Sequence, residues 1–303
     1  MTTHIEIYFN SLPNDILTLD IRGEGITSLP DLTRFKNLKT LYCSKNKLTV
    51  LPTLPQNLQK LYCYNNNLTS LPTLPQNLTT LFCSNNQLTS LPTLPKNLTI
   101  LLCFKNQLTS LPTLPPNLEV LDCYNNNLTS LLTLPQNLQK LDCCNNQLSS
   151  LPTLPQNLEE LSCDSNKLSS LPTLPQNLIE LYCYNNYLTS LPTLPQNLEV
   201  LDCYNNNLTF LPTLPPNLEV LDCSNNSIFE IVNNDSLIKI KQNIQILNNF
   251  RHLYYCLKFK KQLRKWLWEK VREPNIKKIY NPNYLIENLG EYDDLDTVLD
   301  NWQ

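Results

Sequence analysis

The chain has 303 residues, a formal net charge of −3 and 41% hydrophobic residues, which is the composition of an ordinary folded, water-soluble protein. It contains no apolar run near the roughly 20 residues that a membrane-spanning helix requires. The opening residues, MTTHIEIYFN, lack the basic and apolar regions of a signal peptide, so we expect neither a membrane span nor secretion.

A sequence repeat with a period of 20 runs through residues 38–228. One unit, from Leu58 to Asn77, reads LQKLYCYNNNLTSLPTLPQN. A degenerate unit begins at Ile16, and ten units in a common phase begin at Leu38, Leu58, Leu78, Leu98, Leu118, Leu138, Leu158, Leu178, Leu198 and Leu218. These eleven units predict a solenoid, because a short unit buries its apolar residues only by stacking on a neighbour.

Each unit carries the pattern LxxLxCxxNxL, followed by LPTLPQN. Leu61 and Cys63 alternate across a short strand, so both are expected to point inward, and the strands of stacked units form a parallel sheet. Asn66 follows the strand, where its amide donates to and accepts from backbone groups of the turn. Pro72 and Pro75 remove two N–H donors, so this half of the unit runs extended.

The pattern LxxLxCxxNxL resembles the leucine-rich repeat. The resemblance implies an α/β solenoid with a parallel concave sheet, a non-helical extended convex side and, after the repeats, a helical C-terminal cap. We expect residues 1–37 to form an N-terminal cap and the degenerate first repeat. Residues 38–228 form the leucine-rich repeats, and residues 229–303 form the C-terminal cap.

The unit LPTLPQNLxxLxCxxNxLTS is similar to the LPX-subtype repeats of bacterial type III effectors, one class of which carries a ubiquitin-ligase domain. It also resembles leucine-rich-repeat proteins of large DNA viruses that infect amoebae, as do SLPNDI at residues 11–16 and ITSLPDLTRFKNL at residues 26–38. The segment WLWEKVREPNIKKIYNPNYLIENL resembles a C-terminal box of such viral proteins. The resemblance implies a protein-binding role in the cytosol of a host cell, or in association with a virion.

The ligase activity of that effector class does not carry over to this chain. The ligase domain is several times longer than the segment 229–303 that follows the repeats, and it uses a nucleophilic Cys-x-Asp motif. Cys256 is followed by Leu257 and Lys258, so the motif is not present there.

Ten cysteines recur in steps of 20 from Cys43 to Cys223, in a core position of the unit. We expect them to be buried as small apolar side chains, since a line of inward thiols does not make a tetrahedral zinc site. Cys144 should face outward and be the most reactive thiol. The two histidines, His4 and His252, lie at opposite ends of the chain, so we expect no enzyme activity, no metal and no cofactor.

The outward positions of the predicted sheet vary in identity while the core does not. Aromatic residues dominate the early repeats, and carboxylates interleaved with tyrosines dominate the later ones. The predicted ligand-binding residues are Tyr42, Tyr62, Phe82, Phe104, Asp122, Tyr124, Asp142, Glu160, Glu180, Tyr182, Tyr184, Asp202, Tyr204 and Asp222. Exposed aromatics are typical interface anchors, and carboxylates select a basic partner and repel nucleic acid.

The period ends after Ile228. The apolar residues Leu237, Ile240, Ile244 and Leu247 predict one face of a helix, capped by Asp235 or Ser236. A second helix is predicted from Asn249 to Val271, and residues 251–278 carry ten lysines and arginines against two glutamates. We expect the acidic segment 293–302 to fold back on this basic helix and Trp266 and Trp268 to seal the last repeat.

The sequence therefore predicts a monomeric, non-enzymatic interaction module that binds a protein or peptide with a basic patch on its concave face. Two alternatives remain open. The C-terminal helical region could recruit host machinery such as the ubiquitination system, or its basic stretch with tryptophans could bind nucleic acid or an anionic membrane.

Overall fold

The computed structural model describes residues 4–228 and 237–258, and the burial of side chains within residues 7–228 and 237–249. The chain divides into two compact units, Met1–Ile244 and Gln245–Gln303. Helix α1 spans His4–Ser11 and helix α2 spans Leu237–Lys258. Between them lie eleven strands: β1 Thr18–Asp20, β2 Thr40–Tyr42, β3 Lys60–Tyr62, β4 Thr80–Phe82, β5 Ile100–Leu102, β6 Val120–Asp122, β7 Lys140–Asp142, β8 Glu160–Ser162, β9 Glu180–Tyr182, β10 Val200–Asp202 and β11 Val220–Asp222.

The eleven strands form one parallel sheet in sequence order, with one strand from each predicted unit. The register is strict: Leu61 pairs with Leu81, and Tyr62 pairs with Phe82. The predicted inward residues Leu61 and Cys63 are both fully buried. The fold is therefore the predicted solenoid of eleven repeats, including the degenerate first one.

The predicted asparagine ladder is confirmed by its hydrogen bonds. The Nδ2 of Asn66 donates to the carbonyl of Cys63 at 3.0 Å and to that of Cys43, in the preceding repeat, at 3.0 Å. Its Oδ1 accepts from the N–H of Leu48 at 3.0 Å. One side chain thus satisfies the turn of its own repeat and ties it to the repeat before, and the pattern recurs through Asn226.

The residue before each ladder asparagine has a left-handed backbone. Ten such residues, from Lys45 to Asn225, have φ between 50° and 57°, and Gly23 has φ of 75° at the equivalent position of the first unit. Asparagine and glycine tolerate this region best, which explains the Asn-Asn pair in most repeats. Lys45, Lys105 and Ser165 adopt the same left-handed conformation, although lysine and serine are less suited to it than asparagine or glycine.

The LPTLPQN half of the unit is free of helix in the described repeats, as predicted. Leu68, Leu71 and Leu74 are buried and fill the cross-section behind the sheet. A tight turn follows, in which the N–H of Leu78 donates to the carbonyl of Pro75 at 3.1 Å. The chain then enters the next strand.

Helix α1 covers the first repeat, and the sequence pattern does not predict it. Phe9 is buried, and its ring lies edge-on to that of Phe35 with the centroids 6.1 Å apart. The guanidinium of Arg34 donates to the carbonyl of Phe9 and, at 3.4 Å, to that of Leu12. Arg34 thereby adds a donor to carbonyls at the C-terminal end of this short helix, where the last carbonyls lack the usual helical partners.

The prediction of two separate helices, the second beginning at Asn249, is wrong, because α2 is continuous across that residue. It runs unbroken through residue 249, because Asn248 and Asn249 supply neither a proline nor a glycine to end it. Ile244 is buried, and Leu237 and Ile240 pack against the core, but Leu247 is 38% exposed and does not share their buried face. The predicted cap at residues 235–236, the helix beyond residue 258 and the acidic segment lie outside the described residues.

The cysteine column is confirmed as a buried ladder of free thiols in nine repeats. Burial raises the pKa of Cys43 and of Cys83 to about 12. Cys223 is only partly buried because the stack of repeats ends there. No helix in the described part of the chain is long and apolar enough to cross a membrane.

Candidate ligand-binding face

The sheet turns one side toward the core and the other outward. In each repeat the outward positions are those of Lys60, Tyr62 and Tyr64, because Leu61 and Cys63 alternate with them and are buried. We call this side, from β2 to β11 and including the residue two places after each strand, the outer face. Strict register arranges its side chains in three columns that cross the strands at about 4.8 Å intervals.

The outer face of strands β2–β5 is mostly aromatic and aliphatic, and we call it the aromatic field. The rings of Tyr42 and Tyr62 stack with centroids 4.6 Å apart, and Phe82 meets Tyr62 edge-on at 4.9 Å. Ile100 and Leu102 extend the apolar surface along β5. These five side chains are all partly exposed, so the field offers apolar area to a partner.

Two aromatic residues mark the border of the aromatic field. Phe104 follows β5 and Tyr124 follows β6, and their rings stack with centroids 4.8 Å apart. The ammonium of Lys105 lies 5.6 Å from the centroid of Tyr124, within the range of a cation–π interaction. At the other end of the field, Arg22 lies 4.6 Å over Tyr42 and pairs with Asp20.

The outer face of strands β6–β11 is dominated by carboxylates, and we call it the acidic field. Its outward positions hold seven carboxylates and one lysine. The carboxylates belong to Asp122, Asp142, Glu160, Asp164, Glu180, Asp202 and Asp222. The lysine, Lys140, is paired with Glu160, and Asp164 is buried, so the field exposes an excess of carboxylates over cations.

Several of these aspartates also accept a hydrogen bond from the backbone N–H two residues later. The Oδ1 of Asp122 accepts from the N–H of Tyr124 at 3.3 Å, and that of Asp202 accepts from the N–H of Tyr204 at 3.1 Å. Asp222 accepts from the N–H and the hydroxyl of Ser224 at 3.0 and 2.6 Å. Each carboxylate therefore has a local structural role besides its charge, one that an asparagine at the same position would retain.

Burial, together with neighbouring carboxylates, raises several pKa values in the acidic field. Burial, with the neighbouring charge of Asp142, raises the pKa of Asp122 to about 7, although the N–H of Tyr124 lowers it. Burial also raises the pKa of Asp142, against hydrogen bonds from Cys144 that lower it. Burial, the charge of Asp164 and a hydrogen bond to that carboxylate raise the pKa of Tyr184 above its usual value.

Cys144 is not the reactive thiol that its outward position predicts. Its Sγ donates to the Oδ1 of Asp142 at 2.6 Å, and its N–H donates to the same oxygen at 3.0 Å. Burial and the carboxylates of Asp142 and Asp164 raise the pKa of the thiol far above 9.0, so it stays protonated. A thiol without thiolate character is a poor nucleophile.

Each residue of the predicted ligand-binding set has a position on the outer face. Tyr42, Tyr62 and Phe82 lie side by side, and Phe104 stacks on Tyr124. Asp142 and Glu160 lie on neighbouring strands, as do Asp202 and Asp222. Glu180 accepts a hydrogen bond from the hydroxyl of Tyr182 at 3.1 Å. Tyr184 and Tyr204 follow β9 and β10, and Tyr204 is 39% exposed.

The predicted set omits outward residues of both fields, among them Ile100, Val120 and Asp164. Asp164 directly follows the inward Cys163, so the same alternation that identified Tyr184 identifies it as well. In the part of the chain that the structure describes, no group of three histidine, cysteine, aspartate or glutamate side chains is arranged to hold a metal ion.

The comparisons with known proteins agree with this architecture. Residues 56–96 match the model of two leucine-rich repeats, and residues 37–58, 137–158 and 197–216 match the single leucine-rich repeat. The structure of YopM, described as a leucine-rich effector protein from Yersinia pestis, is 39% identical with a TM-score of 0.62. That match covers 70% of this chain and 67% of the YopM chain. The chain belongs to the leucine-rich-repeat family.

Two further structures are similar over the repeats. YopM from Yersinia enterocolitica WA-314 is 36% identical over 73% of this chain, with a TM-score of 0.52, and this chain spans 58% of it. The plant peptide hormone receptor RGFR1, in complex with RGF2, is 21% identical with a TM-score of 0.52, over 70% of this chain and 44% of the receptor. At that identity the receptor shares the fold alone. Comparison with curated proteins gave no significant match.

Proposed function

We propose that the chain is a non-enzymatic interaction module whose outer face, the concave side of the predicted solenoid, binds a protein or peptide with a basic patch. One observation carries this proposal: the acidic field presents six carboxylates that are at least partly exposed and a single lysine that is already paired. Complementary charge accelerates association with a basic partner and disfavours acidic ones, including nucleic acids. Leucine-rich repeats are typically a scaffold for interaction.

The similar structures support a role in interaction, but they do not identify a ligand for this chain. YopM is described as a leucine-rich effector protein. Because this chain spans 58% of the YopM from Yersinia enterocolitica and 67% of that from Yersinia pestis, their whole activities are not transferred to it. The proposal for this chain rests on its own outward residues.

We further propose that the module acts as a monomer in the cytosol of a host cell, and that it derives from a large DNA virus of amoebae. The nine buried free thiols suit a reducing compartment, where cysteines serve as core residues. The viral origin is supported by the sequence resemblance described above.

The proposal is tested by binding of the full chain to an array of immobilised synthetic peptides that differ in lysine and arginine content. The test variant combines Asp122→Asn, Tyr124→Ser, Asp202→Asn and Tyr204→Ser. Asparagine retains the oxygen that accepts the backbone N–H, so charge is lost while the turn is kept. We expect wild type to select basic peptides, and the variant to lose at least ten-fold in affinity for them.

The control variant combines Gln136→Ser and Gln156→Ser, two exposed residues in the LPTLPQN turns away from the outer face. It should bind like wild type. Equal binding of basic and acidic peptides by wild type, or unchanged binding by the quadruple variant, would contradict the proposal.

A further inference from the structure

The outer face divides sharply into two chemistries along the axis of the solenoid. Strands β2–β5 present no carboxylate at their outward positions and only one charged residue, Lys60. Strands β6–β11 carry seven carboxylates at these positions, six of which are at least partly exposed. The division falls between Leu102 and Asp122, which are direct partners in the register of β5 and β6.

A uniformly basic ligand would fit only one of these halves. Over the aromatic field its charges would lose water without meeting a carboxylate, and burying an unpaired charge is costly. The stacked rings of Tyr42 and Tyr62 and the edge-on Phe82 instead favour apolar or aromatic side chains, which gain by leaving water. The two halves therefore select two different segments of one ligand.

From this division, and resting on the proposed function, we infer that the ligand is an extended, bipartite peptide segment. An apolar block lies over β2–β5 and a lysine- and arginine-rich block lies over β6–β11, with the segment running across the strands.

The dimensions of the two fields set the lengths of the two blocks. Strands in a sheet are about 4.8 Å apart and an extended chain advances about 3.3 Å per residue, so the aromatic field spans about 15 Å and the acidic field about 25 Å. These distances correspond to roughly five apolar residues and roughly eight residues of the basic block. Residues between the two blocks would pass over the stacked rings of Phe104 and Tyr124.

The test uses three fluorescent 14-residue peptides and the full wild-type chain, with binding measured by fluorescence anisotropy. The block peptide carries leucine, phenylalanine and valine at one end and lysine, arginine and serine in the rest. The alternated peptide has the same composition with the two kinds of residue interleaved. The third peptide replaces the apolar block by serine. We expect the block peptide to bind at least ten-fold more tightly than either of the others.

Two variants assign the blocks to their fields. Tyr62→Ser with Phe82→Ser should bring the affinity for the block peptide down to that for the serine peptide, while its salt dependence stays unchanged. Asp142→Asn with Asp202→Asn should instead weaken the salt dependence, because fewer ion pairs form. The comparison of peptides on the wild-type chain requires no variant, so it decides the inference even if a substitution impairs folding.

The outcomes separate this inference from the proposed function. If the alternated peptide binds as tightly as the block peptide and the quadruple variant loses both, the acidic interaction module stands and the bipartite ligand is wrong. If no basic peptide binds, both are wrong. Tighter binding of the block peptide that is insensitive to Tyr62→Ser with Phe82→Ser would overturn the placement of the apolar block.

Discussion

At the level of single residues, the ladder asparagine ties the turn of each repeat to the repeat before it. Asn126 is buried and donates to the carbonyls of Cys103, Cys123 and Tyr124, while its Oδ1 accepts from the N–H of Leu108. These groups lie where no water replaces a lost partner. An unpaired buried backbone group is costly, so the asparagine is required for stability although it contributes nothing to the outer face.

Asn126→Ala should lower the free energy of unfolding by about 3 kcal/mol, because it leaves buried backbone groups without a partner. The change is measured by urea denaturation followed by circular dichroism. Asn127→Ala is the matched control: Asn127 is the exposed neighbour, and its replacement should change stability by less than about 0.5 kcal/mol. Equal effects of the two substitutions would show that the ladder hydrogen bonds are not important for stability.

Asp122 makes stability depend on pH in a direction opposite to that of a salt-bridged carboxylate. Its pKa is about 7 in the folded chain against an ordinary value of 3.8, so folding favours the protonated form. Its contribution to stability is complete below about pH 4 and is lost as the pH rises through 7.

Asp122→Asn should therefore raise the unfolding midpoint at pH 8 and leave it unchanged at pH 4, where the wild-type carboxyl is already protonated. Because the side chain is partly exposed, we expect a gain of only about 1–2 kcal/mol at pH 8. The two proteins are compared by thermal unfolding at both pH values, and the comparison at pH 4 is the control. A gain of the same size at both would mean that removal of the charge is not the cause.

At the level of the structural elements, a helix contacts each end of the repeat array. Helix α1 brings Phe9 into the core at the first repeat. At the last repeat, the ammonium of Lys241 donates to the carbonyls of Pro216 and Leu218, both at 2.9 Å, and Ile244 is buried. Both contacts cover apolar residues and backbone groups that would otherwise face water at the end of a stack.

Ile244→Asp should destabilise the C-terminal end of the array and promote aggregation, since it places a charge in the core. Ile246→Asp, at a residue that is 51% exposed, should have little effect. Light scattering during a thermal ramp distinguishes the two variants. If Ile244→Asp remained as soluble and as stable as Ile246→Asp, the first turns of α2 would not serve as a cap.

At the level of the whole repeat array, each strand pairs only with its neighbours in sequence, so stability is the sum of contributions from single repeats and from the contacts between adjacent ones. The sheet follows the sequence order from β1 to β11, and the buried leucines and cysteines form one continuous core. Such an array opens repeat by repeat rather than by exposing one centre. Its buried thiols therefore report on the opening of the stack.

We expect at most three of the twelve cysteines to react with a thiol reagent in the native protein at pH 8, because nine are buried. Their thiols are kept protonated by burial, which raises the pKa of Cys83, for example, to about 12. All twelve should react in denaturant. Rapid reaction of more than three thiols without denaturant would indicate that the repeats open readily.

The repeating pattern alone was sufficient to predict the solenoid, the inward leucines and cysteines, the extended proline half and the role of the asparagine ladder. Each of these rules is local and recurs in every unit, so each repeat supports the interpretation of the others. The alternation that buries Leu61 and Cys63 also identified the outward residues.

The features that the pattern did not predict depend on contacts that are specific to one repeat or to one end of the array. Cys144 loses its predicted reactivity to Asp142, α1 becomes a cap through Phe9 and Phe35, and α2 continues through residue 249 without a break. The division of the outer face into two fields was itself predicted from the outward residues, and the register of the strands adds that it falls between the direct partners Leu102 and Asp122. A repeating pattern specifies what one unit does, whereas these features arise where units differ or where the repetition stops.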